Sequence, residues 1–169
     1  TPCFRVHLSD GSNFDSGQNW GTTSLFSSNE DTFTYGIQVG DFDGDGNEDL
    51  VYRGTESSSN KWIVQRSTGT SFVAESWSTE FWNSDQTLGF GFVVGNFDGD
   101  ATERDDIAYR GSCNGSPCFV VHTSTGTAFS AATSWGNNYY EAEYTEHLDL
   151  FVGDYNNDNL DDLGYRGKC

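Results

Sequence analysis

The sequence predicts an all-β chain, a propeller of four-stranded blades with three repeats per chain. Three observations make that prediction. A short motif of apolar run, acidic loop and Tyr-Arg-Gly returns three times, about 57 residues apart. Gly, Ser, Thr and Asn separate short apolar runs, while aromatic residues reach 15 %. No useful 3.6-residue periodicity appears anywhere. One domain is expected over residues 1–169, with repeats at approximately 3–54, 61–111 and 118–167.

The elements follow in order within each repeat. Residues 4–14, 62–72 and 119–129 align with one another, and a tryptophan follows each, at Trp20, Trp77 and Trp135. Next come a variable aromatic-rich segment, an apolar run, the acidic loop and the Tyr-Arg-Gly exit at Tyr52, Tyr109 and Tyr165. In the best-defined repeat one strand, residues 36–42, enters the acidic loop and another, residues 49–53, leaves it. Residues 61–66 and 72–77 read as the third and fourth strands. Between these, residues 67–70 form a tight turn with Gly69 at the positive-φ position.

Charge narrows the function. The formal net charge is −18, from 26 acidic and 8 basic side chains. Nucleic acid and anionic membrane surfaces are unsuitable partners for such a chain. Hydrophobic content is only 34 %, yet the aromatics argue against a disordered acidic segment. No stretch reaches transmembrane length, so no membrane insertion is expected. The sequence starts at Thr1 with no signal peptide, as a processed mature form would.

The acidity concentrates in the loops. The first carries Asp41, Asp43, Asp45 and Asp49 at positions 1, 3, 5 and 9, with Asn47 at position 7 offering its carbonyl. Gly44 and Gly46 permit a tight wrap. The third offers Asp154, Asn156, Asp158 and Asp162, with Leu160 supplying only a carbonyl and Asn159 replacing the turn glycine. The middle loop is the poorest: Asn96, Asp98, Asp100 and Asp106, with Ala101 for a glycine and two extra residues. Alternate oxygens closing on a carboxylate suit Ca²⁺, which takes six to eight oxygen ligands. About three structural ions per chain would bring the charge to about −12. An EF-hand needs Glu at position 12, where Tyr52 stands, and helical flanks. An acidic turn without metal is the competing reading, strongest for the middle loop.

The string of residues 40–50, apolar run into Gly-Asp-Phe-Asp-Gly-Asp-Gly-Asn-Glu-Asp-Leu, resembles the FG-GAP/VCBS repeat of integrin α-subunit propellers and related lectins. The resemblance covers essentially the whole chain and is specific for the loop. It implies that the calcium loop joins the innermost strand of a blade to the second. It names calcium-dependent fungal lectins as functional analogues and hints at galactose or N-acetylgalactosamine. The units here end in Tyr-Arg-Gly rather than Gly-Ala-Pro, and three units are fewer than a usual propeller has.

Four cysteines allow three pairings. The repeat register favours Cys113–Cys118 within one blade and Cys3–Cys169 as the same bridge with its loop cut. One blade then joins the last two strands to the first two. Closing within the chain gives three blades; closing between two chains gives a six-bladed homodimer, the preferred reading because propellers have four to eight blades.

The expected function is a calcium-dependent, multivalent carbohydrate-binding protein (lectin), secreted to the extracellular space, with glycans or glycoproteins as partners. The alternative is an integrin-like protein-binding or adhesion module. Candidate ligand residues are Arg53, Trp82, Arg110, Tyr139, Tyr140 and Arg166, on or beside the variable connections. Rings stack on sugar C–H faces while polar groups bond hydroxyls. The arginines are equally open to stacking on neighbouring tyrosines, and the three tryptophans to packing between blades. No catalytic constellation is present, so no enzyme is expected; a paired-carboxylate glycosidase using Glu80, Glu141, Glu143 or Glu146 is the residual alternative.

Overall fold

The computed structural model describes residues 3–22, 36–57, 59–77, 92–114, 116–136 and 150–165. Every regular element among them is a β-strand. One antiparallel sheet orders β3 (Gln38–Gly40), β4 (Asp49–Glu56), β5 (Ser59–Ser67) and β6 (Phe72–Ser76) side by side. A second orders β7 (Val93–Gly95), β8 (Asp106–Cys113), β9 (Ser116–His122) and β10 (Thr133–Ser134) in the same way. At the chain ends β1 (Cys3–Val6) pairs with β2 (Gln18–Thr22), and β11 (Leu150–Gly153) with β12 (Asp162–Tyr165).

The middle strands are covered on both faces. Residues 51–54 of β4 and 62–65 of β5 are all buried, so polar Arg53 and Gln65 lie inside beside Val51, Tyr52, Trp62, Ile63 and Val64, and no in–out alternation shows. The turns reverse the chain where glycine was expected. Gly69 has φ 79°, and Thr68 N donates to Ser71 O at 2.9 Å. Gly126, at φ 84°, serves the equivalent turn, closed by Thr125 N donating to Ala128 O.

The sheets stack through a recurring aromatic contact. Trp62 meets Tyr109 with ring centroids 6.0 Å apart; Phe4 meets Tyr52 at 6.3 Å and Phe119 meets Tyr165 at 6.0 Å. A second contact recurs: Trp20 on Phe72 and Trp77 on Phe129, both at 5.3 Å and 62°. The pair β1–β2 therefore lies against the first large sheet, and β11–β12 against the second. Phe42 fills the corner between Trp77 and Phe129. Trp62, Phe42, Val64, Ile107 and Tyr109 are fully buried between the large sheets. Truncating such a ring to alanine costs about 3–5 kcal/mol.

Several boundaries differ from expectation. Strand β3 covers only Gln38–Gly40, because Asp41 and Phe42 already belong to the acidic turn. Strands β4 and β8 run past Tyr-Arg-Gly, since the β4–β5 and β8–β9 ladders continue to Glu56↔Ser59 and Cys113↔Ser116. The disulfide Cys113–Cys118 forms at the far end of the second ladder. Cys3 is an exposed free thiol donating to Asn19 Oδ1 at 3.4 Å; its expected partner, Cys169, lies outside the described residues. Strands β1 and β12 are not paired with each other, and among the described residues the four sheets do not close into a ring.

Candidate metal centre

The first acidic loop spans the reversal from β3 to β4, between the paired residues Gly40 and Asp49. Gly44 and Gly46 take φ 75° and 87°, a region that side-chain-bearing residues avoid. That backbone turns its N–H groups inward. Asp41 Oδ1 accepts from Gly44 N at 2.8 Å and Asp45 N at 3.1 Å, and Asp41 Oδ2 accepts from Gly46 N at 2.8 Å. Asp43 accepts from Asp45 N, and Asp45 accepts from both nitrogens of Asn47. Asp49, fully buried, accepts from Ser67 N at 2.7 Å and Phe42 N at 3.3 Å.

The result is three carboxylates, Asp41, Asp43 and Asp49, each offering an oxygen within 4.8 Å of the others. Burial is the main cause that pushes the Asp49 carboxyl up to about 7; the Ser67 N–H opposes it, and the charges of Asp43 and Asp41 add to it. Burial likewise raises Asp43, with the charge of Asp45 next in size. Arg66 relieves part of this from outside, with Nη1 3.7 Å from Asp43 and Nη2 3.2 Å from Glu75. An oxygen-only donor set of clustered acids fits a hard divalent cation such as Ca²⁺ and suits soft metals poorly.

The other loops differ. In the middle loop Asn96 accepts from Gly99 N and Asp98 from Asp100 N. Asp106 is buried, accepts from Ser124 N at 2.8 Å and Phe97 N at 3.1 Å, and is raised to about 6, chiefly by burial. Here, however, Asp100 pairs with the guanidinium of Arg104, so a fixed side-chain cation already serves the place of the fifth ligand position. In the third loop Asp154 gathers the N–H groups of Asn157, Asp158 and Asn159, and Asp158 takes that of Leu160. Asn157 and Asn159 sit at φ 64° and 67°, where the first loop has glycines. Asn156 lies exposed on that loop and Asp162 is partly buried. Among the described residues, only the first loop brings three carboxylates together.

Sequence reasoning missed two supporting residue types. Asp105 Oδ2 accepts from Asp41 N at 2.8 Å while Asp105 N donates to Asp41 O at 2.9 Å. Asp161 makes the same pair of hydrogen bonds with Asn96, its Oδ2 accepting from Asn96 N and its N donating to Asn96 O, both at 2.9 Å. These acids lock each loop to the next one. The readable signal was an acid immediately before each closing carboxylate: Glu48, Asp105, Asp161. Ser124 is the other, its Oγ donating to Phe42 O at 2.6 Å across the sheets.

Of the expected ligand residues, Arg53 and Arg110 are among the described residues. Arg53 and Arg110, expected at a glycan surface, are buried to 4 % and 2 % exposure. Arg53 stacks over Trp62 at 5.3 Å and Arg110 over Tyr165 at 5.6 Å. They fill the space between sheets because a guanidinium plane packs on aromatic faces. Trp82, Tyr139, Tyr140 and Arg166 lie outside the described residues. Compared with protein-family models, with curated proteins and with solved structures, the chain gives no match.

Proposed function

We propose that this chain is a calcium-stabilised, extracellular carbohydrate-binding module on a propeller scaffold, its sheets being blades and its connecting segments the ligand loops. The observation that carries the reading is the oxygen-only cradle of Asp41, Asp43 and Asp49, built by the loop that resembles FG-GAP repeats. When bound, Ca²⁺ would neutralise the clustered carboxylates. Asp41, Asp43, Asp45, Asn47 and Asp49 would hold it in the first loop, and Asp154, Asn156, Asp158, Leu160 and Asp162 in the third. The middle loop, with Arg104 on Asp100, is the least suited.

The ion is a scaffold element rather than a ligand contact. Gly69, on the β5–β6 turn, stands beside Asn47, so the acidic loop and that turn share one end of the sheet. The connections after Trp20, Trp77 and Trp135 are rich in aromatics: Phe26, Phe33 and Tyr35; Phe81, Trp82 and Phe90; Tyr139, Tyr140 and Tyr144. Such rings suit sugar faces. Three similar sets of loops would provide avidity from individually weak sites. The disulfide Cys113–Cys118 is in keeping with an oxidising, extracellular compartment.

A glycan array probed in calcium and again in EDTA tests the reading. Binding to a defined set of glycans, galactose-terminated ones first, that weakens in EDTA is the expected result. No glycan bound at any calcium level removes the carbohydrate function and leaves a protein-binding module.

A further inference from the structure

We propose that the ring is closed by a second copy of this chain: β1 of each copy adds to the free edge of β12 of the other, giving six blades about a two-fold axis. The inference rests on the propeller architecture proposed above, and on neither calcium nor sugar.

The two ends of the chain carry complementary halves of contacts that are already made inside it. The first is aromatic. Trp20 packs on Phe72 and Trp77 on Phe129 in the same geometry. Trp135 is the third tryptophan of the series and Phe14 aligns with Phe72 and Phe129. These two are left 42 % and 75 % exposed. A cleft of about 270 Å³ opens beside Trp135, lined also by Phe97, Leu160 and Leu163. At the complete junction the matching corner, formed by Phe42 and Trp77, holds Phe129.

The second is steric, between the innermost strands. A Cβ on Gly40 would lie 2.6 Å from Val94, and one on Gly95 would lie 2.6 Å from Val152. Each glycine is thus the seat of the next sheet's valine. Gly153 is the third seat, where the nearest atoms belong to its own Tyr155, at 3.4 Å or more. Val39 is the third valine and is 53 % exposed.

The third is polar. Gln65 donates to Tyr52 OH at 2.9 Å, and His122 Nε2 bonds Tyr109 OH at 3.1 Å. His7 and Tyr165 are the remaining members of those series, at opposite ends of the chain. His7 is already set as His122 is, with Nδ1 on Asp15 O at 2.8 Å where His122 Nδ1 takes Ser130 O at 2.9 Å. Likewise Asp49 and Asp106 accept from the backbone of Ser67 and Ser124; Asp162 and Ser9 complete that series. The third acidic loop is therefore finished only when a second copy supplies Ser9.

Strand β12 corresponds to β4 and β8, which pair with β5 and β9; β1 corresponds to β5 and β9. Among the described strands β12 pairs with β11 alone and β1 with β2 alone, and an edge strand is a template for another strand. Two complete blades per chain and two shared ones make six, within the four to eight of known propellers. A two-fold pair closes without leaving a further edge for a fibre.

Light scattering on the eluting wild-type chain at micromolar concentration tests this. The expected mass is twice 18.6 kDa. Val39→Glu and Phe14→Asp, at positions exposed in the single chain, should each halve that mass and leave the far-ultraviolet β signal intact. A wild-type mass of one chain, or of three or more, overturns the proposal, whatever the variants do. So does a dimer that survives both substitutions. Glycan binding without dimerisation, or the converse, separates this inference from the functional one.

Discussion

Asp105 stands next to a proposed metal ligand yet serves a different end: it takes the backbone N–H of Asp41 and ties one acidic loop to its neighbour. Asp105→Ala should destabilise the chain by about 1.5–3 kcal/mol, as loss of a charge-assisted bond does, measured by urea unfolding in EDTA. The neighbouring-acid pattern was visible in the sequence, but its direction was not, because nothing in one strand says which acid faces the loop and which faces the next sheet. His122 gives the clearest pH signature. Burial lowers its pKa from the ordinary 6.5, with the Ser130 carbonyl opposing. The unfolded chain therefore takes up a proton near pH 6.5 that the folded chain refuses, so this residue's contribution to stability is lost as pH falls through that region. Asp49, Asp105 and Asp106 act with the opposite sign, since their raised values favour the folded state as pH falls. His122→Gln isolates the histidine: Gln65 already makes the same bond to a tyrosine hydroxyl. The variant should lose less stability between pH 7 and pH 5 than the wild type, read from melting temperatures; an unchanged profile contradicts the assignment.

At the scale of elements, the acidic loop and the glycine turns were legible, because each needs residue types that few other structures tolerate; the tryptophans were legible as packing residues, but not their phenylalanine partners. Strand ends were less so. The ladder from β4 to β5 continues through polar Thr55, Glu56 and Ser59, where backbone pairing rather than side-chain pattern holds the strands together. For Arg53 and Arg110 the sequence left a glycan contact and stacking on tyrosines equally open, and the structure has them stacked, Arg53 over Tyr109 and Arg110 over Tyr165; residue type alone does not decide between the two. The Cys113–Cys118 bridge clamps the equivalent end of β8 and β9. Removing both thiols with Cys113→Ser and Cys118→Ser should cost about 2 kcal/mol, the value for so short a closed loop, measured by urea unfolding. Gly40→Ala should cost about 1–3 kcal/mol through overpacking, because the added methyl meets Val94 and Asp105 at 2.6 and 2.7 Å.

Across the whole molecule, one construction rule recurs. The second large sheet seats Val94 on Gly40, Phe129 on Trp77 and Asp105 on the backbone N–H of Asp41, and parts of the same set recur at the junctions on either side. The chain ends are left with the unmatched halves. Repetition made the motif and its register readable in sequence, but not these contacts; whether the ends meet in one chain or two depends on the stacking of sheets, which sequence spacing does not express. In the proposed function calcium would link this construction to ligand binding, since the loops it would hold are tied together by Asp105 and Asp161. A saturating ion binding only the folded chain, at about 100 times its dissociation constant, would add about 2.7 kcal/mol of stability. Calorimetric titration of Ca²⁺ into the chelator-stripped protein, wild type beside Asp43→Asn, tests this most directly. The account predicts saturable binding in the wild type and the loss of one site in the variant; no binding at millimolar calcium, or the same number of sites in both proteins, contradicts it.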